Sequence, residues 1–320
     1  MAEKPSALIV AGPTASGKSA LALAIACETG GTVINADSMQ TYRELRVLTA
    51  RPTPEEEAMA PHALYGVRPA AEPGDAAWWR AAALAEMERA REAGRLPILC
   101  GGTGMYFATL TNGIAAIPPV GMAARAEARG LLGELGPAGL HARLAEADPE
   151  TAATLRPSDS QRLTRAWEVW RGTGQGLKAW HRAGGTGPAP WRFAAILLDP
   201  PREDLRTAIA ARLEGMLAGG ALEEVRALLA LGLDRTLPAM RAHGVPELAS
   251  HLRGALTLAQ AAERIRHVTA QYTKRQATWF RHHTLADPDA THMIHARIAG
   301  LTQLSNKNQG EILAFVDRST

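Results

Sequence analysis

Four short apolar runs and the helices between them set the framework of the chain. Ala7-Leu8-Ile9-Val10-Ala11 is uniformly apolar, reads as a buried strand, and breaks at Gly12. Ala20 to Glu28 is dominated by Ala and Leu and reads as a helix closed by Gly30-Gly31. Thr32 to Ala36 is β-branched and half apolar, a second strand. Residues 50–76 read as loop with a short helix from Pro54 to Met59, and Trp78 to Ala93 is an amphipathic helix stopped by Gly94. Leu96 to Cys100 and Phe193 to Leu198 are the third and fourth strands. Buried strands alternating with helices predict an α/β domain with a parallel sheet.

Between the third and fourth strands the pattern changes. From Pro118 to Pro190 Ala, Arg, Leu and Gly dominate, strand signals vanish, and Pro137, Pro149 and Pro157 punctuate helices. The expected organisation is a core of residues 1–117 and 191–320 interrupted by an all-helical insertion over 118–190. The strongest insertion helix starts at Ser158-Asp159, either of which can cap it. From Gln161 to Arg182 it carries Arg162, Arg165, Arg171, Lys178 and Arg182 against Glu168 alone, interleaved with tryptophans. Beyond the fourth strand, helices are expected from Pro201 to Leu217, from Leu222 to Leu231 and over Glu263 to His283. In the last of these, a turn of about 100° per residue puts Ile265, Val268, Tyr272 and Trp279 on one stripe. Gln271, Lys274, Thr278 and Arg281 fall opposite, and no acid follows Glu263 through His283, which suits a phosphate backbone. The tail beyond Pro288 is mixed and points to no function.

Composition narrows the class. The 320 residues carry a net charge of +3, so any nucleic-acid site is a local patch. Cys27 and Cys100 stand far apart in apolar surroundings and read as core residues of a reduced protein, without a zinc site. The N-terminus runs straight into the first strand with no leader pattern, and no apolar run reaches membrane-spanning length. A cytoplasmic protein is expected.

The chemistry gathers at strand ends. Gly12-Pro13-Thr14-Ala15-Ser16-Gly17-Lys18-Ser19 has the spacing of a phosphate-binding loop between a strand and a helix, which predicts a P-loop NTPase-like sheet. Its glycines let backbone N–H groups converge on an anion, Lys18 adds charge, Ser19 can ligate Mg²⁺, and the helix N-terminus faces the phosphates. Asp37 follows the second strand and Gly101-Gly102-Thr103-Gly104 the third, at the edge where parallel sheets bind ligands. These residues leave three readings open: a kinase or NTPase, an enzyme that holds a phosphorylated donor and acts on nucleic acid, or a nucleotide switch. A kinase or NTPase would carry a second Mg²⁺ carboxylate after a long apolar strand, and only Asp37 and Asp199 are strand-end acids.

Taken together, G-P-T-A-S-G-K-S, D-S-M-Q-x-Y, G-G-T-G-M-Y, D-S-Q-R-L-x-R-A-x-E-V and Q-Y-x-K-R-Q-x-x-W-F-R resemble the bacterial tRNA dimethylallyltransferases, in order from Ala7 to Arg281. The resemblance implies transfer of a dimethylallyl group from dimethylallyl diphosphate to the N6 amine of an adenosine beside the tRNA anticodon. It implies that Gly12 to Ser19, with Arg212, hold the donor's diphosphate, with Mg²⁺ on Ser19. It makes Asp37 the general base and Thr103 a hydrogen-bonding group at the reacting centre. Ser38, Met39 and Gln40 would contact the extruded base. Arg125, the Gln161-Arg162-Leu163-Thr164-Arg165 run, Lys274, Arg275 and Arg281 would grip the anticodon stem-loop. The chain is expected to act as a monomer. The nearest competitor is a related branch that prenylates free adenine nucleotides, with a P-loop kinase of a small acceptor behind it. Three stretches depart from the family pattern: Leu48 to Pro52, Pro61 to Gly66, and Gly244-Val245-Pro246-Glu247.

Overall fold

The computed structural model describes residues 4–298 and 306–320; residues 1–3, where the N-terminal reading starts, and 299–305 lie outside the described residues. Strand β1 (Ser6–Ala11) leads through the Gly12 loop into helix α1 (Lys18–Thr29), which Gly30 closes in the left-handed region at φ 65°. Strand β2 (Thr32–Asn35), helix α2 (Pro54–Met59), strand β3 (His62–Ala63), helix α3 (Ala76–Glu92), strand β4 (Pro97–Gly101) and helix α4 (Gly104–Thr111) follow. Helix α2 has the bounds read from sequence because Thr53 caps it reciprocally with Glu56 and Pro54 sits at its first position.

Contacts divide the chain into two compact units, residues 1–111 with 189–320, and Asn112–Pro188. The second unit holds strand β5 (Ile114–Ala115), helices α5 (Gly121–Ala147), α6 (Pro149–Ala152), α7 (Ser160–Thr173) and α8 (Leu177–Ala183), and strand β6 (Gly185–Thr186). Helix α5 is broken at Gly136, whose φ of 66° and ψ of 178° precede Pro137. Leu140, Leu144, Leu163 and Trp167 build this unit's own core. Helices dominate this unit, and β5 and β6 add to the expected all-helical segment a short antiparallel ribbon too brief for any period to reveal.

The first unit resumes with strand β7 (Arg192–Leu198) and helices α9 (Arg202–Ala218), α10 (Ala221–Ala230), α11 (Val245–Leu252) and α12 (Leu258–His282). It ends with strand β8 (Thr291–Ile294) and helix α13 (Asn306–Ser319). Six strands form one sheet in the order β3-β2-β4-β1-β7-β8, and every neighbouring pair is parallel. Alternation along β1 and β7 sends Ala7, Ile9, Ala11, Ala195 and Leu197 to one face of the sheet. Leu8, Val10, Ala194, Ile196 and Leu198 go to the other. Both faces are covered by apolar helices, which is why these strands carry no polar alternation. The result is a P-loop NTPase-like parallel sheet flanked by helices.

Two readings from sequence are corrected. Cys100 is buried in β4, but Cys27 lies exposed in the last turn of α1 and is no core residue. Leu163 is fully buried in the core of the second unit and offers no surface to RNA. Among the described residues no helix is long and apolar enough to cross a membrane.

Candidate active site

The carboxyl ends of β1, β2 and β4 bring three loops to one edge of the sheet. The loop after β1 wraps on itself: Ser16 N donates to Pro13 O at 3.2 Å, and Lys18 Nζ reaches the same carbonyl at 3.3 Å. Gly17 enters α1 at φ 93°, a conformation glycine adopts cheaply, and no side chain caps the helix N-terminus. Its first-turn N–H groups are therefore free for an anion. Ser16 Oγ is fully buried and has no hydrogen-bond partner. Burial pushes the Lys18 ammonium below its ordinary pKa, an effect that the Asp37 carboxylate partly offsets. Burial acts likewise on the Arg212 guanidinium, again against Asp37. Arg212 is aimed from α9 by a 3.1 Å bond from Nη2 to Thr49 O. Two half-buried cations beside unfilled N–H and O–H donors suit a compact multivalent anion.

Asp37 and Thr103 are brought together by the pairing of β2 with β4. Gly101 lies so close to Ala36 that a Cβ there would collide with the Ala36 backbone. That approach lets Ala36 N donate to Cys100 O at 2.8 Å and Thr103 N to Ala36 O at 3.1 Å. Thr103 Oγ1 then accepts from Ser38 N at 3.0 Å. The Asp37 turn is braced by Asn35, which accepts from Asp37 N at 2.8 Å and donates to Asp37 O at 2.9 Å. Asn35 is itself fixed by Trp79 Nε1 at 2.8 Å on its carbonyl. Asp37 Oδ1 accepts from Met39 N at 2.9 Å, which orients the half-buried carboxylate. Burial, then the charge of Asp37, push the Tyr272 hydroxyl above its usual pKa, while Thr103 and Gln276 lie near enough to oppose the shift. Burial also pushes the Cys100 thiol up to about 11, so it stays protonated and inert beside Lys18.

Gln276 was not singled out by sequence reasoning, yet it joins two of these loops. Its side chain, 4% exposed, accepts from Thr14 N at 2.8 Å and donates to Gly102 O at 2.9 Å. A Cβ at Gly102 would strike that amide, and one at Gly104 would strike the Trp279 ring. The two glycines after β4 therefore serve the approach of α12. A signal was present: Gln276 lies four residues from both Tyr272 and Phe280, on the buried side of the helix.

The IPP transferase family profile matches residues 40–283, and a second, isopentenyl transferase, matches residues 5–62. The chain belongs to the IPP transferase family. It is 61% identical over 310 residues to a protein of Granulibacter bethesdensis named tRNA dimethylallyltransferase, covering 97% of each chain. The full-length tRNA isopentenylpyrophosphate transferase of Bacillus halodurans superposes with a TM-score of 0.68 at 27% identity, over 99% of this chain and 97% of that one. A eukaryotic dimethylallyltransferase acting on tRNA shares the fold, with a TM-score of 0.80 at 24% identity, over 99% of this chain and 80% of that one.

In this member of the IPP transferase family, the residues assigned to RNA are differently placed. Arg125, Gln161, Arg162 and Arg165 are exposed on α5 and α7, and Thr164 is half-buried, donating to Ser160 O at 2.7 Å. The basic run is less bare in space than in sequence. Arg165 pairs with Glu168, Arg171 with Glu127, and both Lys178 and Arg182 with Glu150. Arg162 lies 3.5 Å from Asp159, which caps α7 through Arg162 N. On α12, Lys274 and Arg275 are exposed, and Arg275 lies 5.5 Å from the centre of the Tyr272 ring. Arg281 is committed to a two-pronged pair with Asp199, both bonds 2.8 Å. Gln40 is buried and donates to Thr49 O at 3.0 Å and Ala50 O at 2.9 Å, so its amide braces a turn. Ser38 and Met39 stay half-buried beside Asp37.

Proposed function

We propose that the chain is a prenyltransferase that moves a dimethylallyl group from dimethylallyl diphosphate to the N6 amine of an adenosine adjacent to the tRNA anticodon. The observation that carries this reading is the convergence of an anion loop, two half-buried cations and the Asp37-Ser38 turn, tied to Thr103, at one sheet edge. A loop that binds a leaving group must stand beside a group that activates the nucleophile, and these do. The names of the relatives, tRNA dimethylallyltransferase, supply the substrates.

The diphosphate of the donor sits against the amides of Ala15 to Ser19, with Lys18 and Arg212 meeting its charge. That charge grows as the bond between the allylic carbon and oxygen breaks, so these groups stabilise the transition state more than the bound donor. The adenine N6 forms the new carbon–nitrogen bond and gives up a proton to the Asp37 carboxylate. Thr103, fixed by Ser38 N, hydrogen-bonds at the reacting centre. Mg²⁺ fits the loop's chemistry: Ser16 Oγ is an orphaned buried hydroxyl there, and Ser19 adds an exposed hydroxyl in the first turn of α1. Among the described residues no cluster of three His, Cys, Asp or Glu could cage a metal, which suits an ion ligated mainly by substrate oxygens and water. Held by Ser19 and the diphosphate, Mg²⁺ would supply charge neutralisation to the leaving group.

To reach a strand-end crevice the adenine must leave its stack. Ser38 and Met39 lie beside Asp37 to receive it. Arg125, Arg162, Arg165, Lys274 and Arg275 grip the anticodon stem-loop through its phosphates. Exposed ion pairs contribute little, so the arginines of α7 exchange carboxylates for phosphates at small cost. The chain would act as a monomer, in the cytoplasm where tRNA is found.

The test offers radiolabelled dimethylallyl diphosphate to the enzyme with tRNA and AMP as rival acceptors, over a range of salt. Label should enter tRNA, with affinity falling steeply as salt rises. Preferential labelling of AMP, with a flat salt response, would replace this reading with prenylation of free nucleotides.

A further inference from the structure

The tail to which the sequence assigned no role crosses the phosphate loop. After β8 ends at Ile294, the chain from His295 to Ile298 meets the backbone of the loop. Arg297 Nε donates to Ala15 O at 3.1 Å, and Ile298 N donates to Ser16 O at 3.0 Å. A Cβ on Gly17 would collide with the Ile298 carbonyl, so three consecutive loop residues are touched by the crossing. Ile298 is 4% exposed and is packed in the core cluster that holds Val10, Leu21 and Phe315, which pins the crossing in place. Arg297 is exposed and takes no part in that core.

An anion loop carries a built-in conflict. Turning successive N–H groups toward one point aligns their dipoles, and an empty loop relieves the repulsion by splaying. The same turn sends carbonyls outward, where they require partners. Ala15 is held at φ 66°, left-handed for a residue with a side chain, which adds to the tendency to relax. The tail supplies donors to two of the loop's carbonyls, those of Ala15 and Ser16. Gln276 ties the preceding residue, Thr14, so the loop is held from α12 and from the tail at adjoining positions.

We infer that the Arg297–Ile298 crossing is a positioning device for the diphosphate, holding the loop amides converged before the prenyl donor arrives, with Arg297 as a positioning residue. The inference rests on the diphosphate reading of the loop given above. Ordering the loop in advance removes that step from donor binding, so the crossing acts on donor affinity and leaves the tRNA side untouched.

The experiment compares the full-length wild type with Arg297→Ala and Arg297→Lys. Inorganic pyrophosphate with Mg²⁺ is titrated calorimetrically, KM is measured separately for dimethylallyl diphosphate and tRNA, and melting temperature is recorded. Arg297→Ala should raise pyrophosphate Kd and donor KM in parallel by about 3- to 10-fold, with kcat and tRNA KM within about twofold. Arg297→Lys, which retains a donor for the Ala15 carbonyl, should recover most of the loss at an unchanged melting temperature. Unchanged pyrophosphate affinity in Arg297→Ala overturns the inference, as does an equal rise in tRNA KM or a lysine variant no better than alanine. A wild type that binds no pyrophosphate overturns the diphosphate reading instead.

Discussion

Replacing Gln276 by leucine removes two hydrogen bonds at a point where nothing else can make them. The Gly102 carbonyl accepts from Gln276 Nε2 in a fully buried setting, whereas the Thr14 N–H, bonded to Oε1, is partly open to water. An unsatisfied buried group costs about 1–3 kcal/mol, and the partly hydrated one about 0.5–1.5 kcal/mol. The sum, about 1.5–4.5 kcal/mol, should lower the melting temperature by several degrees, at roughly 2–4 °C per kcal/mol. The released Thr14 amide also frees the phosphate loop, so donor KM should rise about tenfold, the equivalent of about 1.4 kcal/mol. Gln276→Glu separates the two effects. Its carboxylate keeps the acceptor for Thr14 N but faces the Gly102 carbonyl without a proton and sets a negative charge beside an anion site. Glutamate should therefore bind inorganic pyrophosphate more weakly than leucine does, although it preserves the loop bond. The assays are thermal melting, steady-state kinetics with donor varied at saturating tRNA, and pyrophosphate calorimetry. A leucine variant melting within about 1 °C of wild type with donor KM within twofold would refute the reasoning.

Two further perturbations probe the proposed chemistry. Asp37→Ala should lower prenyl transfer by at least about 100-fold, the lower range for a general base, while tRNA affinity measured by filter binding stays within a few-fold; near-normal turnover would remove Asp37 from that role. Lys18→Met tests the half-buried cation. Burial holds the folded pKa of Lys18 below 10.5, so between that lower value and 10.5 the unfolded chain binds more protons. Stability attributable to Lys18 therefore rises with pH through that window and is reduced below it. The methionine variant should melt at or above the wild-type temperature without ligand at neutral pH, lose that segment of the pH response, and gain nothing from pyrophosphate. A variant that melts lower yet is still stabilised by pyrophosphate would contradict the assignment.

What sequence made legible was whatever local physics decides. The loop from Gly12 to Ser19 could be read because strand, glycines, lysine and helix stand together in one window. Helix α2 was readable because Thr53, Pro54 and Glu56 specify its start. Pairing across distance was not legible. The basic run from Arg162 to Arg182 looked uncompensated, because Glu127 and Glu150 come from other helices. Arg281 looked free for RNA, because Asp199 is 82 positions away. Strand β8 escaped notice at four residues, shaped by its parallel register with β7 more than by any period of its own. Leu163 was counted with its polar neighbours in a family motif, while its helix face put it in the core. Gln276 hid in the same way, inside a motif valued for its charges.

The fate of the strand-end acids separates this site from that of a nucleotide hydrolase. In P-loop enzymes that act on ATP, a carboxylate at a strand end helps hold Mg²⁺, with the loop hydroxyl, against the β- and γ-phosphates. Here the strand beside β1 ends in Gly101-Gly102, whose missing side chains admit Ala36 and Gln276. Asp199, at the end of β7, is neutralised by the guanidinium fork of Arg281, and its side chain is only 16% exposed. Asp37 remains, and its position near Thr103 and the half-buried Lys18 suits it to accept a proton from an incoming amine. Removing the second metal carboxylate and keeping a base near the anion loop changes what the loop is good for. Such a loop suits the proposed role, holding a diphosphate that departs from carbon and leaves phosphorus untouched.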